Sequence, residues 1–210
     1  MIWIYAVAAM CLLVCMPFYM RYKKELRDKL AYSFKVLGTL CAASFALTAA
    51  IRLDPRCWVC FAGLVLHSIA DWLLEYNLYW GGGFFLTGHI CYIAFFLNLF
   101  PVSTIHLIAL ICLLGIGVFL FWRWRKPIGV NMPFFGLYAA VLCIMTACAI
   151  GGLSGHTTQG IMIAIGGAFF FLSDTLILGR LLFSCDRTVD WAIIFFYYLA
   201  QLLIGASCLV

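Results

Sequence analysis

Apolar runs of about twenty residues, long enough to span a bilayer, follow one another along almost the whole of this 210-residue chain. No other feature restricts its fold so strongly. In hydrocarbon, every backbone N–H and C=O must find its partner within the protein, so such a run spans as a helix. The chain is 67% hydrophobic and only 10% charged, where a soluble domain carries roughly a quarter charged residues. A separate soluble domain is excluded, and the net charge of +5 is no sign of nucleic-acid binding. Reading between charges and Gly/Pro breaks predicts an all-α polytopic membrane protein, a single bundle of eight transmembrane helices. They fall at about 2–20, 33–52, 57–77, 82–99, 103–121, 132–152, 158–180 and 189–209. The links are short apart from the basic segments 21–32 and 122–131, so consecutive helices are expected to be antiparallel neighbours.

Lysine and arginine positions set the orientation. With the N-terminus outside, the inner links carry Arg21, Lys23, Lys24, Arg27, Lys29, Arg123, Arg125, Lys126, Arg180 and Arg187, and Lys35 opens the second span at the same face. Outside stand only Arg52 and Arg56, a ratio of eleven to two. The expectation is a cell-membrane protein with both termini extracytoplasmic. The first run has no basic residue before it and five after it, so it reads as a retained span rather than a signal peptide.

Against this background Asp71 and Asp174 stand about halfway into apolar stretches, the first three residues after Ser68 and the second next to Ser173. A mid-span carboxylate costs about 2.5–3.5 kcal/mol on insertion scales, and such residues face a bundle interior or a polar cavity. Counting helical rise, Asp71, Asp174 and Tyr138 lie ~9 Å from the inner ends of their spans and His89 ~10 Å. Tyr198 is slightly deeper and Lys35 shallower. Six polar residues on six helices in one leaflet imply one cavity inside the bundle, opening towards the cytoplasmic side. Plainer roles stand beside this one. For each Asp the plainer role is an interhelical hydrogen-bond partner, and tyrosines are common amphipathic packers. His67 shares a helix face with Asp71 and Glu75 and reads as a packing residue. His89 and Tyr92 are one turn apart, and Tyr197, Tyr198 and Gln201 form a third group on the last helix.

Other chemistries fit poorly. There is no HExxH, no Gly-x-Ser-x-Gly elbow and no Gly-rich phosphate loop. The four histidines are scattered, with His106 and His156 towards the outer side, so no metal or cofactor is expected. Nearly all eleven cysteines lie within apolar runs and read as small buried residues. Cys57 and Cys60 form a lone CxxC with no second pair to complete a zinc site.

At these residues the chain resembles the YhhN, or lysoplasmalogenase-like, family of eight-span membrane proteins. Lys35 stands where that family has a lysine opening the second span. Gly63…Ser68-x-x-Ala70-Asp71-x-x-Leu74 resembles its G…S-x-x-G-D-x-x-L segment, and Gly88-His89-x-x-Tyr92 its small-residue-H-x-x-Y segment. Tyr138 and Met145 match its sixth-span pattern. Ser173-Asp174 closes a stretch similar to G-A-x-L-F-x-x-S-D, and Tyr197-Tyr198-x-x-Gln201 one similar to Y-Y-x-x-Q. Two departures, Ala70 for the usual glycine and Val36 where proline is common, remove no chemical group. The resemblance implies hydrolysis of the vinyl ether bond of lysoplasmalogens, giving a fatty aldehyde and a glycerophospho-alcohol.

That chemistry suits the residues. Acid-catalysed vinyl ether cleavage needs one carboxylic acid and one carboxylate, as glycosidases use for a related oxocarbenium ion. The run Phe169-Phe170-Phe171 gives Asp174 surroundings that disfavour a charge, which marks it as the acid. Asp71 is then base and cation stabiliser, although the sequence permits the reverse. Lys35, Ser68, His89, Tyr92, Tyr138, Ser173, Tyr198 and Gln201 are the candidates for orienting water or a lysophospholipid substrate. Lys35 suits either a phosphate or an Asp. The main rival is a proton-coupled carrier, since intramembrane Asp and Lys also build proton relays. No convincing repeat relates residues 1–105 to 106–210 in its favour.

Overall fold

Helix accounts for the backbone hydrogen bonding that hydrocarbon demands. In this computed structural model, which describes residues 2–25 and 28–210 apart from the Asp28 side chain, the described residues form no strand. The helices are α1 (Ile2–Lys24), α2 (Asp28–Arg52), α3 (Cys57–Leu73), α4 (Leu78–Leu99), α5 (Thr104–Ile128), α6 (Met132–Gly151), α7 (Thr158–Leu182) and α8 (Arg187–Ala206). Among the described residues, 6 helical segments are long and apolar enough to cross a membrane. One of them, Thr104–Gly155, contains both α5 and α6, whereas α3 is shorter, at 17 residues. The chain is a polytopic helical membrane protein.

Several boundaries differ from the sequence reading. The basic segments expected as links are largely helical. Arg21, Lys23 and Lys24 lie in the last turn of α1, and Arg125 and Lys126 in that of α5. Lys and Arg are good helix formers and suit the negative end of the helix dipole, so these helices outlast their apolar cores. Arg27, counted among the inner cations, lies outside the described residues. Within α1 the turns Met10–Cys15 are π-helical. Pro17 follows two residues later, and its ring displaces the carbonyl of Leu13, which the wider turn accommodates. α3 ends at Leu73, short of the predicted 77, because Asn77 starts the next helix. Its side chain accepts the Tyr79 and Trp80 N–H groups at 2.9 and 3.1 Å, an N-cap that brings α4 forward of its predicted start. Glu75 therefore sits in a turn and not on the helix with His67 and Asp71. Gly129, at φ 57, occupies backbone space that favours glycine and folds α6 back on α5.

Six helices close a ring: α2, α3, α4, α6, α7 and α8 each pack on the next, and α8 returns to α2. α1 lies mainly against α2, and α5 against α6. The neighbour rule drawn from short links fails at one place, for α4 packs on α6 rather than broadly on α5. The polar groups explain this: α4 presents His89 to Tyr138 of α6, whereas α5 is apolar and exposed along most of its length. α8 runs parallel to α2. The Tyr198 hydroxyl donates to the Phe34 and Lys35 carbonyls at one end, and Gly205 lies against Ala42 further along. A Cβ at Gly205 would stand 2.5 Å from the Ala42 oxygen, so these two backbones need the small residue to meet. α3 runs antiparallel to α8, with Asp71 beside Tyr197 and Cys60 beside Ile204. The N-terminal ends of α2, α4, α6 and α8 therefore meet the C-terminal ends of α3 and α7, and the site lies at that end of the ring.

Candidate active site

Asp71 is completely buried, at 0% exposure, and every contact it makes comes from a helix of the ring. Its Oδ2 accepts the Thr39 hydroxyl at 2.6 Å and the Tyr197 hydroxyl at 2.8 Å. Its Oδ1 faces the Lys35 ammonium at 3.2 Å, an ion contact without hydrogen-bond alignment. Lys35 and Thr39 are four residues apart on α2, one face of one helix. The Thr39 and Tyr197 hydroxyl oxygens lie 3.2 Å apart on the same carboxylate oxygen. A buried charge needs pairing and hydrogen bonds together, and here α2 supplies the cation while α2 and α8 supply the donors. Asp71 is held as an anion.

Asp174 has different company. Its Oδ2 accepts the Tyr138 hydroxyl at 2.6 Å, and His89 Nε2 stands 3.5 Å away. His89 Nε2 lies 3.2 Å from the Tyr138 oxygen, so the three groups form a triangle joining α4, α6 and α7. His89 Nδ1 is buried and has no partner among the described residues. Among the described residues no lysine or arginine makes an ion pair with Asp174, which retains 8% exposure.

The single polar cavity expected from residue depth is two adjoining cavities. Asp71 lines one of about 240 Å³, together with Tyr19, Lys23, Lys35, Glu75, Arg180, Asp190 and Tyr197. A cavity needs roughly 10–15 Å³ of such space to hold one water, so this one has room for several. Asp174 and Tyr138 line a narrower cavity of about 90 Å³, whose other walls include Leu120, Phe121, Phe134, Leu142 and Leu178. Leu74, Leu78, Phe85, Ile177 and Leu181 border both cavities. Phe85 is the aromatic member of that partition, with ring centroids 6.5 Å from His89 and 6.0 Å from Tyr197.

The remaining candidates divide clearly. Lys35, His89 and Tyr138 stand at the carboxylates as described. Ser68 bonds back to the Leu64 carbonyl at 3.0 Å, and Ser173 ties α7 to the Ile193 carbonyl at 3.1 Å. Tyr198 anchors the α2 backbone. Tyr92 donates to Gln201 Oε1 at 2.5 Å, and Gln201 Nε2 meets His67 Nδ1 at 3.1 Å. Ser68 stays within α3, the other four groups bind helix to helix, and none of the five touches either carboxylate. Thr39 was missed by sequence reasoning. Its signal is the i, i+4 step from Lys35, which puts a hydroxyl one turn beyond the cation. Tyr197, grouped with Tyr198 but left out of the candidate set, is the tyrosine of that pair that reaches Asp71.

Comparison with known proteins agrees with the residues. Residues 30–208 match the YhhN family, and the chain belongs to it. No curated protein and no solved structure matches the chain.

Proposed function

We propose that this YhhN-family chain is a membrane-embedded hydrolase that cleaves the vinyl ether bond of lysoplasmalogens, releasing a fatty aldehyde and a glycerophospho-alcohol. The observation that carries this reading is the unequal setting of two buried carboxylates on either side of one thin partition. Asp71 has a cation and two donors. Asp174 has a phenol and an imidazole and opens on an apolar cavity. A single alkenyl chain suits the apolar cavity, and the glycerol and phosphate suit the polar one.

The chemistry balances on these groups. Protonated Asp174 gives its proton to the alkenyl carbon remote from oxygen, and the electron pair of the double bond forms the new C–H bond. The resulting oxocarbenium ion is stabilised by the fixed Asp71 carboxylate. Water adds to the cationic carbon as Asp71 draws off its proton, giving a hemiacetal. Collapse of the hemiacetal breaks the C–O bond to glycerol, with one proton moving from the hydroxyl to the leaving oxygen. Asp71 then releases that proton to the solvent of its cavity, and Tyr138 and His89, which hold the Asp174 carboxyl, offer a route by which a solvent proton restores the acid. An acid or base of this kind is worth typically about 10²–10⁴-fold in rate.

In the same reading the chain crosses the cell membrane eight times as one bundle, with both termini extracytoplasmic. Supporting it, α3 is 17 residues long, the lower end of the range of about 17–25 that spans a bilayer, and Thr104–Gly155 folds back at Gly129 into two arms. The test is purified protein with lysoplasmalogen in mixed micelles, following aldehyde release. A folded protein that releases no aldehyde would refute the reading.

A further inference from the structure

The charges of the polar cavity do not pair off completely. Its walls carry three cations, Lys23, Lys35 and Arg180, and three carboxylates, Asp71, Glu75 and Asp190. Lys35 is taken by Asp71 at 3.2 Å and Arg180 by Asp190 at 3.0 Å. One ammonium and one carboxylate are left over. Lys23 Nζ touches the Tyr19 hydroxyl at 3.0 Å, a neutral partner. Neither Lys23 nor Glu75 makes an ion pair among the described residues. Both stand where the cavity meets the end of the bundle, Lys23 in the last turn of α1 and Glu75 in the turn after α3.

An unpaired charge of each sign in one cavity selects its ligand by charge pattern. An anionic headgroup satisfies Lys23 but brings Glu75 no cation. A lipid without phosphate leaves Lys23 unmatched. A phosphodiester ending in an ammonium supplies one negative and one positive group. We propose that Lys23 and Glu75 form the headgroup subsite for a zwitterionic lysophospholipid, Lys23 facing the phosphate and Glu75 the ammonium. Lys35 and Arg180 are not the phosphate ligands, because each is already neutralised by a carboxylate. This subsite rests on the lipid-hydrolase reading for the nature of the lipid.

Three saturated 1-alkyl ether lipids test it, since none can be cleaved: a lysophosphoethanolamine, a lysophosphoglycerol and the alkylglycerol without phosphate. Their dissociation constants are measured on the full chain in detergent for wild type, Lys23→Gln, Glu75→Gln and Arg123→Gln. Arg123 is exposed and lines neither cavity, so it controls for net charge. A hydrogen-bonded charge contact is worth about 1.5–3 kcal/mol, and tenfold in affinity corresponds to about 1.4 kcal/mol. Wild type should bind the zwitterion about tenfold more tightly than either other lipid. Lys23→Gln should erase most of the preference over alkylglycerol. Glu75→Gln should erase the preference over lysophosphoglycerol, and Arg123→Gln should leave all ratios as in wild type. Ratios within one variant cancel any loss of folded protein. Unchanged ratios in Lys23→Gln and Glu75→Gln, an equal loss for all three lipids, or a wild type without headgroup preference each overturn the subsite. Headgroup preference without aldehyde release from the alkenyl lipid would sink the hydrolase reading and leave the subsite standing. Aldehyde release with unchanged ratios would do the opposite.

Discussion

Replacing Lys35 with methionine should destabilise the protein strongly, and changing Asp71 as well should repair most of the damage. The two charges are 3.2 Å apart with 8% and 0% exposure. At an effective dielectric of about 20, their attraction is about 5 kcal/mol. Lys35→Met removes it and leaves a buried anion without its cation, supported only by Thr39 and Tyr197. Breaking one side of a buried pair costs about 3–5 kcal/mol. For a chain of this size, about 2–4 °C per kcal/mol converts that into a fall of roughly 6–20 °C. The buried cysteines, Cys11, Cys15, Cys41, Cys57, Cys60, Cys143, Cys148 and Cys208, make a thiol-reactive dye a direct assay, because they react as the bundle opens. In Lys35→Met/Asp71→Asn the neutral amide still accepts from both hydroxyls, and no charge is stranded. The coupling between the two changes should reach about 2 kcal/mol, within the range for residues in contact. If Lys35→Met unfolds within about 3 °C of wild type, or the double variant is no better than the single one, the pair does not hold Asp71 as argued.

Asp71→Asn and Asp174→Asn should each lower aldehyde release per folded molecule, with the folded fraction read by the dye assay, by about 10²–10⁴-fold. Near-wild-type turnover in both would refute acid–base catalysis and favour the carrier reading. Tyr92→Phe should cost about 1–3 kcal/mol by stranding the buried Gln201 oxygen, with turnover per folded molecule close to wild type; a catalytic loss without destabilisation would return Tyr92 to the site. A C-terminal alkaline phosphatase fusion should be active and a cytoplasmic reporter there inactive, and the reverse pattern would invert the orientation.

Much of this was legible from apolar run length and the depth of the polar residues, because hydrocarbon leaves the backbone few choices. What escaped depended on side-chain chemistry across helices. Run length ends a span where charge begins, yet α1 and α5 continue through Arg21–Lys24 and Arg123–Lys126 because basic residues extend a helix as readily as they end a hydrophobic core. Link length made α4 and α5 neighbours, but the His89–Tyr138 contact draws α4 to α6 instead. Depth put Asp71, Asp174, His89 and Tyr138 at one level and did so usefully. Depth alone gives no azimuth, so it did not reveal Phe85 standing between the two carboxylates. The tyrosine pair on α8 shows the same limit. Tyr197 and Tyr198 are adjacent and therefore point apart by about 100°, and only the ring of neighbours tells which meets Asp71.

The two carboxylates are unequal because of which helices face them. α2 and α8 give Asp71 an ammonium and two hydroxyls, so protonating it would break contacts that need the charge. α4 and α6 give Asp174 an imidazole and a phenol, groups that accept or relay a proton without a fixed cation to oppose it. In the proposed mechanism Asp71 thus begins as the carboxylate that receives the water proton and Asp174 as the acid, a division that acid–base pairs elsewhere achieve by contrasting environments. The partition between them adds a steric condition. Asp174 lies on the apolar side and Asp71 on the polar side, so a substrate that meets both must lie across Leu74, Leu78 and Phe85 with its reacting bond at the crossing. A vinyl ether is that bond in a lysoplasmalogen, for it joins the hydrocarbon chain to the glycerol. A second acyl chain on the same glycerol would have to enter the polar cavity, among Lys23, Glu75 and Asp190. Under the proposed function, diacyl lipids are therefore expected to be rejected and single-chain ones accepted.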